Sequence, residues 1–527
     1  MLLPFRFWQR KTCGIKNQLW ALMLLLSVLV LAIVPPVIVR VRAQSPLPLG
    51  FQWADVQTPR GDRLPDFSYC GYRAFQQPLP SNQTQPAVAL ERKSGDQTRR
   101  IQDALDEVAA RGGGVVALGP GEFAVSAKGL TLASGVGLRG AGPSLTRLKF
   151  DELGDVPAIS LGNGTSIPSV LPFHTAGITD GYVPIGSSRV TVDNVDGFEP
   201  GQRVFVQRQV TEAWVRANGM GDLVLYGEQQ TWLKPGTVVR QPRTIKSVDG
   251  NEVILDIPLT DALDTNSGLM QPSLVAFDPP PISAEMGIED LSITLSPSCS
   301  GASLNTRCDS PAISFTPWSS DSWARNLELT GFNFYIETQY NSSRITVQDV
   351  VMTRDADAKD AGNTNRALPA DILVQGTQLL VADCSQQGLE TAASFAVMTG
   401  SLAPGPNAVV RFAVPSESQL IVPHQRWAHG FLVEDTDAQV RFINRATNGT
   451  GHGWSINAGV GWNLRGKTLV QSPPLGVNWC IGCSGLIDDR SNGSFLEQGR
   501  EVMPKSLFGA QLEQRTDLLT LGRLPRN

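Results

Sequence analysis

The sequence predicts an all-β chain wound as a parallel β-helix, a solenoid whose coils stack over one continuous core. Three observations predict it. Very short segments rich in Val, Ile and Leu recur along most of the chain. They are separated by Gly, Pro and Ser rather than by helices. One amphipathic helix precedes the first of them, and such a helix suits the open end of a stack, where the first coil has no neighbour to cover it.

The elements follow in order. Arg6, Arg10, Lys11 and Lys16 precede an apolar run from Leu19 to Val34, and Val41 and Ala43 are small residues before a cut. Residues 1–43 therefore read as a signal peptide cleaved after Ala43, with an uncleaved membrane anchor as the other reading. Either places the protein outside the cytoplasm, secreted or extracytoplasmic. Residues 44–90 form an N-terminal extension. Over residues 91–171, Asp96 can cap a helix that sets Ile101, Ala104, Leu105 and Val108 on one face, and Gly112 to Gly114 end it. The first coils follow as Val115 to Leu118, Phe123 to Val125, Leu130 to Leu132 and Gly135 to Gly140.

Residues 172–280 differ. Their strands are longer and alternate, as in Ser188 to Val192, Arg203 to Gln207 and Asn251 to Ile257, with Asp249-Gly250 as a hairpin turn. This stretch reads as a β-rich insertion on the side of the solenoid. Rungs resume over residues 281–490, among them Met286 to Leu295, Ser343 to Val350 and Ala370 to Val374. Residues 491–527 read as a C-terminal cap and tail.

A net charge of −5 gives no basic face for nucleic acid, so an anionic substrate would need a local arginine cluster. Six cysteines lie beyond residue 43. Cys299 and Cys308 bracket a small loop, and Cys480 and Cys483 can close a tight one, so both pairs read as disulfides.

Reactive chemistry concentrates in one block. PHQRWAHG (Pro423 to Gly430) precedes NRATNGTGHGW (Asn444 to Trp454), GWN (Gly461 to Asn463) and NWCIGC (Asn478 to Cys483). Three of the chain's four histidines fall here. The spacing is about one strand and turn, so the groups can meet on one wall of a stack.

The run from Asp96 to Leu105, then Arg111 to Phe123, then Gly135 to Gly142 resembles the first helix and first coil of the pectate-lyase-like, single-stranded right-handed β-helix superfamily. The segment Leu64 to Tyr72 resembles the entry of many exported members. The C-terminal block and Pro504 to Arg515 are similar to those of a secreted bacterial and fungal subgroup. The resemblance implies a right-handed solenoid and a polysaccharide partner. It leaves the chemistry open, because the fold hosts lyases, hydrolases, transglycosylating enzymes and adhesins.

Three chemistries fit the residues. A lyase acting on a uronate-containing polysaccharide by β-elimination would use Arg426 and Arg445 to hold the carboxylate. His452 would act as base or acid and His424 as its partner, while Trp427, Trp454, Trp462 and Asn463 would bind sugar. A glycoside hydrolase would need paired carboxyls from Asp371, Asp383, Glu390, Glu434 and Asp435, with Glu390 foremost. A non-catalytic glycan binder would use the same rings and guanidiniums. The structural readings beside these put Asn444, Asn457 and Asn463 in an internal ladder, His429 in solvent and the tryptophans in the core. Asp355, Asp357 and Asp360 are grouped closely enough to interest calcium, but their loop reads as surface, so no metal or cofactor is expected.

Overall fold

A computed structural model describes residues 50–164, 172–302, 308–357 and 368–516. The signal-or-anchor segment and Asp360 lie outside these residues. No helix among them is long and apolar enough to cross a membrane.

The described residues form a parallel β-helix. One long parallel sheet runs from Val88–Leu90 at the N-terminal end to Ser494–Leu496 at the C-terminal end, and a second runs from Leu130–Leu132 to Thr468–Val470. A single register column shows why the rungs are aliphatic. Val88, Val116, Leu138, Ile288, Ala324, Val347, Val381, Val409, Val433, Gly461, Cys480 and Phe495 stand one above the next. Strands inside the stack are covered above and below, so the positions of this column are apolar, from Gly461 to Phe495 in size. Each buried branched side chain contributes about 1.5–3 kcal/mol relative to exposure.

The capping helix is Thr98–Ala110, and Ile101, Ala104, Leu105 and Val108 are its buried apolar face. Asp96 caps it from outside, accepting the Thr98 N–H at 2.9 Å. Burying that face covers the first coil.

The stretch between the two sets of coils forms a six-stranded sheet whose pairings are all antiparallel. Its Asp249-Gly250 turn closes a hairpin in which Asp249 pairs with Glu252. The solenoid ignores the interruption, because Gly287 stacks directly on Gly137 and Ile313 on Ile159. Both expected disulfides are formed, Cys299–Cys308 and Cys480–Cys483. Cys70 and Cys384 are free and buried.

Candidate functional site

Two successive coil edges bring His424 and His452 together, with ring centroids 4.8 Å apart in an edge-to-face arrangement. His424 closes the strand Gln419–Pro423, whose outward residues continue a half-buried row with Phe395 and Met398. The Phe395 ring lies 5.2 Å from His424, and Met398 Sδ lies 3.3 Å from His424 Nδ1. His452 follows a turn that only glycine can make. Gly449 has φ +63°, and a β-carbon there would sit 2.2 Å from His452 Nε2. Gly453 has φ +50°, and a β-carbon would strike the Trp232 ring at 2.4 Å.

Two guanidiniums flank the imidazoles. Arg445 donates from Nη1 to the His424 carbonyl at 2.8 Å. Arg426 donates from Nε to the Trp232 carbonyl at 2.7 Å, and its other nitrogens reach Gln425 and Thr450. Arg426 therefore spends Nε on the Trp232 loop of the insertion and its remaining donors on the coil residues Gln425 and Thr450. Neither arginine has a carboxylate partner among the described residues.

Burial, followed by the charges of Arg445 and Arg426, holds the His452 imidazole down at about 4. Burial first, then Arg445, His452 and Arg426, holds His424 at about 3. Both rings are neutral at pH 7 and can accept a proton. Among the described residues, His452 Nδ1 is buried without a hydrogen-bond partner.

The other expected residues divide. Trp427 and Trp454 are buried, with Trp214 and Trp232 in the same cluster. Trp427 Nε1 donates to Asp261 at 3.0 Å and Trp454 Nε1 to the Asn218 carbonyl at 2.9 Å. Their faces fill the joint between insertion and solenoid and present no platform for sugar. Trp462 and Asn463 turn away altogether. Trp462 donates to the Pro504 carbonyl, and Asn463 binds Val502 and Lys505, so both hold the C-terminal segment on the last coils. The internal asparagine ladder does not form either. Asn444 caps its own turn at Ala446, and Asn457 bridges Asp261 and Val477. His429, expected in solvent, is 1% exposed and bonds to Thr260 Oγ1 at 2.7 Å, because the insertion covers that strand.

The hydrolase carboxylates are dispersed. Asp371 is paired with Arg354 in the interior, Asp383 with Arg411 and Asp435 with Arg465. Glu434 is buried and accepts the Leu507 and Phe508 N–H groups at the start of the C-terminal helix, and burial pushes it up to about 7. Glu390 is exposed, and its carbonyl accepts from Ser416. It precedes the strand Ser394–Thr399, whose far end carries Met398 beside His424. Asp355 accepts from Ser298 at 2.7 Å.

Sequence reasoning missed Asp261, which organises this region. Its carboxylate receives Arg208, Trp427 and Asn457 while only 2% exposed. The local sequence Leu259-Thr-Asp-Ala-Leu263 offered no motif that would have marked it.

No family model matches the sequence, and no curated protein matches it. Among solved structures, the chain is similar to a mutant tailspike protein of Escherichia coli bacteriophage HK620 in complex with a pentasaccharide. The identity is 11%, the TM-score 0.39, and the match covers 82% of this chain and 59% of that one. The tailspike protein gp49 from Pseudomonas phage LKA1 matches at 12% identity and TM-score 0.31, over 76% of this chain and 70% of that one. The chain spans about three fifths (59%) of the length of the HK620 chains it matches.

Proposed function

We propose that this chain is a carbohydrate-active solenoid that cleaves a uronate-bearing polysaccharide by β-elimination where His424 and His452 meet. The reading is carried by the pairing of two neutral imidazoles beside Arg445, a guanidinium with no carboxylate partner among the described residues. Arg445 holds the uronate carboxylate and Arg426 positions the loop beneath it. His452 takes the proton from the carbon beside the carboxylate, with His424 steadying its ring. The bond to the leaving oxygen breaks, its partner carbon gains a C=C bond, and the imidazolium returns the proton to that oxygen. No cofactor is required for this balance.

The test is a panel of pectin, alginate, ulvan and glycosaminoglycans, read by ultraviolet absorbance of the unsaturated product and by reducing ends. A lyase raises both, a hydrolase raises only reducing ends, and a binder raises neither. His452→Ala is expected to lower turnover about 100-fold or more, as loss of a proton-transfer group does. Unchanged turnover in that variant rejects the site. The rate is expected to fall as pH drops towards about 4, where His452 charges, instead of near the ordinary histidine range.

A further inference from the structure

We propose a second ligand site, separate from the histidine pair, in the cleft between the inserted sheet and the coil turns. It is built for an oxyanion carried on a ring-shaped polyhydroxylated body, that is, a carboxylated or sulfated sugar unit.

The cleft encloses about 490 Å³, within the range that takes a small ligand. One wall comes from the paired insertion strands Arg203–Gln209 and Val238–Asp249. The other comes from coil turns that carry Tyr340, Arg344, Thr377 and Leu402. Four arginines line it, Arg203, Arg240, Arg243 and Arg344, against one acid, Asp256. Arg243 is committed, since it donates to the Ile257, Pro242 and Pro258 carbonyls. Arg344 is paired with Asp321. Arg240 lies 5.0 Å over the Phe205 ring and donates to Gln207.

Arg203 is different. It is half-buried, and among the described residues its guanidinium has neither a hydrogen bond nor an ion pair. Burial, then the nearby Arg344 charge, press against its protonated form, and the Asp321 and Asp256 carboxylates offset this only in part. A cation held this way gains most from an added anion.

Among the described residues, two further groups lining the same cleft are left without partners. Trp318 and Thr377 are each 5% exposed, yet Trp318 Nε1 and Thr377 Oγ1 make no hydrogen bond. A buried donor is normally satisfied, so unsatisfied ones lining a cavity call for a ligand or water. Both residues line the same cleft as Arg203. Phe277 stacks on Phe205 at 4.0 Å and meets the Trp318 ring at 6.2 Å, while Thr377 is bridged to Ser343, next to Arg344. The oxyanion is received by Arg203, with Trp318 Nε1 and Thr377 Oγ1 as donors. Asp256 Oδ1 accepts the Thr244 N–H at 2.8 Å, so its other oxygen is the acceptor offered to a sugar hydroxyl.

The test uses the full chain and three probes: digalacturonate, its dimethyl ester and a sulfated disaccharide. Binding is followed by tryptophan fluorescence and calorimetry. At least one anionic probe is expected to bind about tenfold more tightly than the ester, and more weakly as salt rises. Preference between the two anions names carboxylate or sulfate as the source. Arg203→Gln is expected to weaken binding about tenfold, and Trp318→Phe, which keeps the ring and removes the donor, by a smaller factor. His452→Ala is expected to leave this affinity unchanged, so failure of the elimination reading and failure of the cleft are separable. Equal binding of ester and acid overturns the proposal, as does no binding of either anion. Wild-type affinity in both Arg203→Gln and Thr377→Val, with melting temperatures preserved, also overturns it.

Discussion

The coil stack and the inserted sheet solve the same problem in opposite ways. In the stack, burial is continuous, as in Ala428–Glu434 and Ile456–Trp462, where every residue is buried and all but His429, Glu434 and Asn457 are apolar or glycine. In the insertion, Val238–Asp249 alternates buried with partly exposed positions, since one face meets solvent. The insertion has its own core around Val204, Val206, Val253 and Leu274. It is fixed to the coils by polar pins: Asp261 to Trp427 and Asn457, Thr260 to His429, and Arg426 to the Trp232 carbonyl. Apolar coil contacts give the stack its stability without choosing one position over its neighbours. Directional hydrogen bonds set where the insertion sits, and the cleft depends on that placement.

The largest test of this contrast is Asp261→Ala. It strands the Arg208 charge and two buried donors, and the expected cost is about 3–5 kcal/mol in denaturant unfolding. Limited proteolysis is expected to cut first within residues 172–280, leaving the coils intact. The matched change in the stack, Asp371→Ala opposite the fully buried Arg354, is expected to cost as much but to give no such early cut. If both variants open the same segment first, the polar pins are not what distinguishes the two regions.

A smaller effect is expected from pH. His429 is held down at about 4 by burial at the joint with the insertion, beside the lowered His424 and His452. Their folded-state values lie below the unfolded value near 6.5. On these three rings the unfolded chain binds more protons as pH falls, so their contribution is complete above about 6.5 and is lost towards about 4, against a smaller opposite contribution from Glu434, whose raised value favours the folded state below about 7. Melting temperature is expected to decline across that window. His429→Gln, which removes one of the three titrating rings, is expected to make the decline shallower. The smallest effect is Arg216→Ala on the exposed side of the insertion's short helix Glu212–Ala217. Its pair with Glu212 is solvent-screened, and the expected change is within about 0.5 kcal/mol.

Much of this was legible in the sequence because it is periodic. The helix face at Ile101, Ala104, Leu105 and Val108 follows from 3.6-residue spacing, and the rungs follow from their branched residues and Gly/Pro punctuation. The pairing of Cys299 with Cys308 and of Cys480 with Cys483 followed from close spacing. The meeting of His424 with His452 was legible as a coil-length interval. What periodicity does not carry is which outward-facing residues are covered again by a distant segment. His429 was expected in solvent because its strand reads as an outer rung, and Thr260, 169 residues earlier, covers it. Trp462 and Asn463 read as site residues because they follow the same block, yet the C-terminal segment claims them.

By itself the sequence determined a capped solenoid of short parallel rungs, its two small disulfide loops and the block where its imidazoles gather. Those are consequences of local spacing, which the backbone geometry of strands and helices converts directly into faces. Only the tertiary structure decided which tryptophans are core, which carboxylates are already paired, and that Arg203 faces a cleft beside Trp318 and Thr377. The carboxylate pairs join neighbouring coils, 17 to 30 residues apart for Asp371, Asp383 and Asp435, while Trp427 meets Asp261 across 166 residues. In both cases the hydrogen-bond satisfaction of a buried polar group is settled only when separate segments meet.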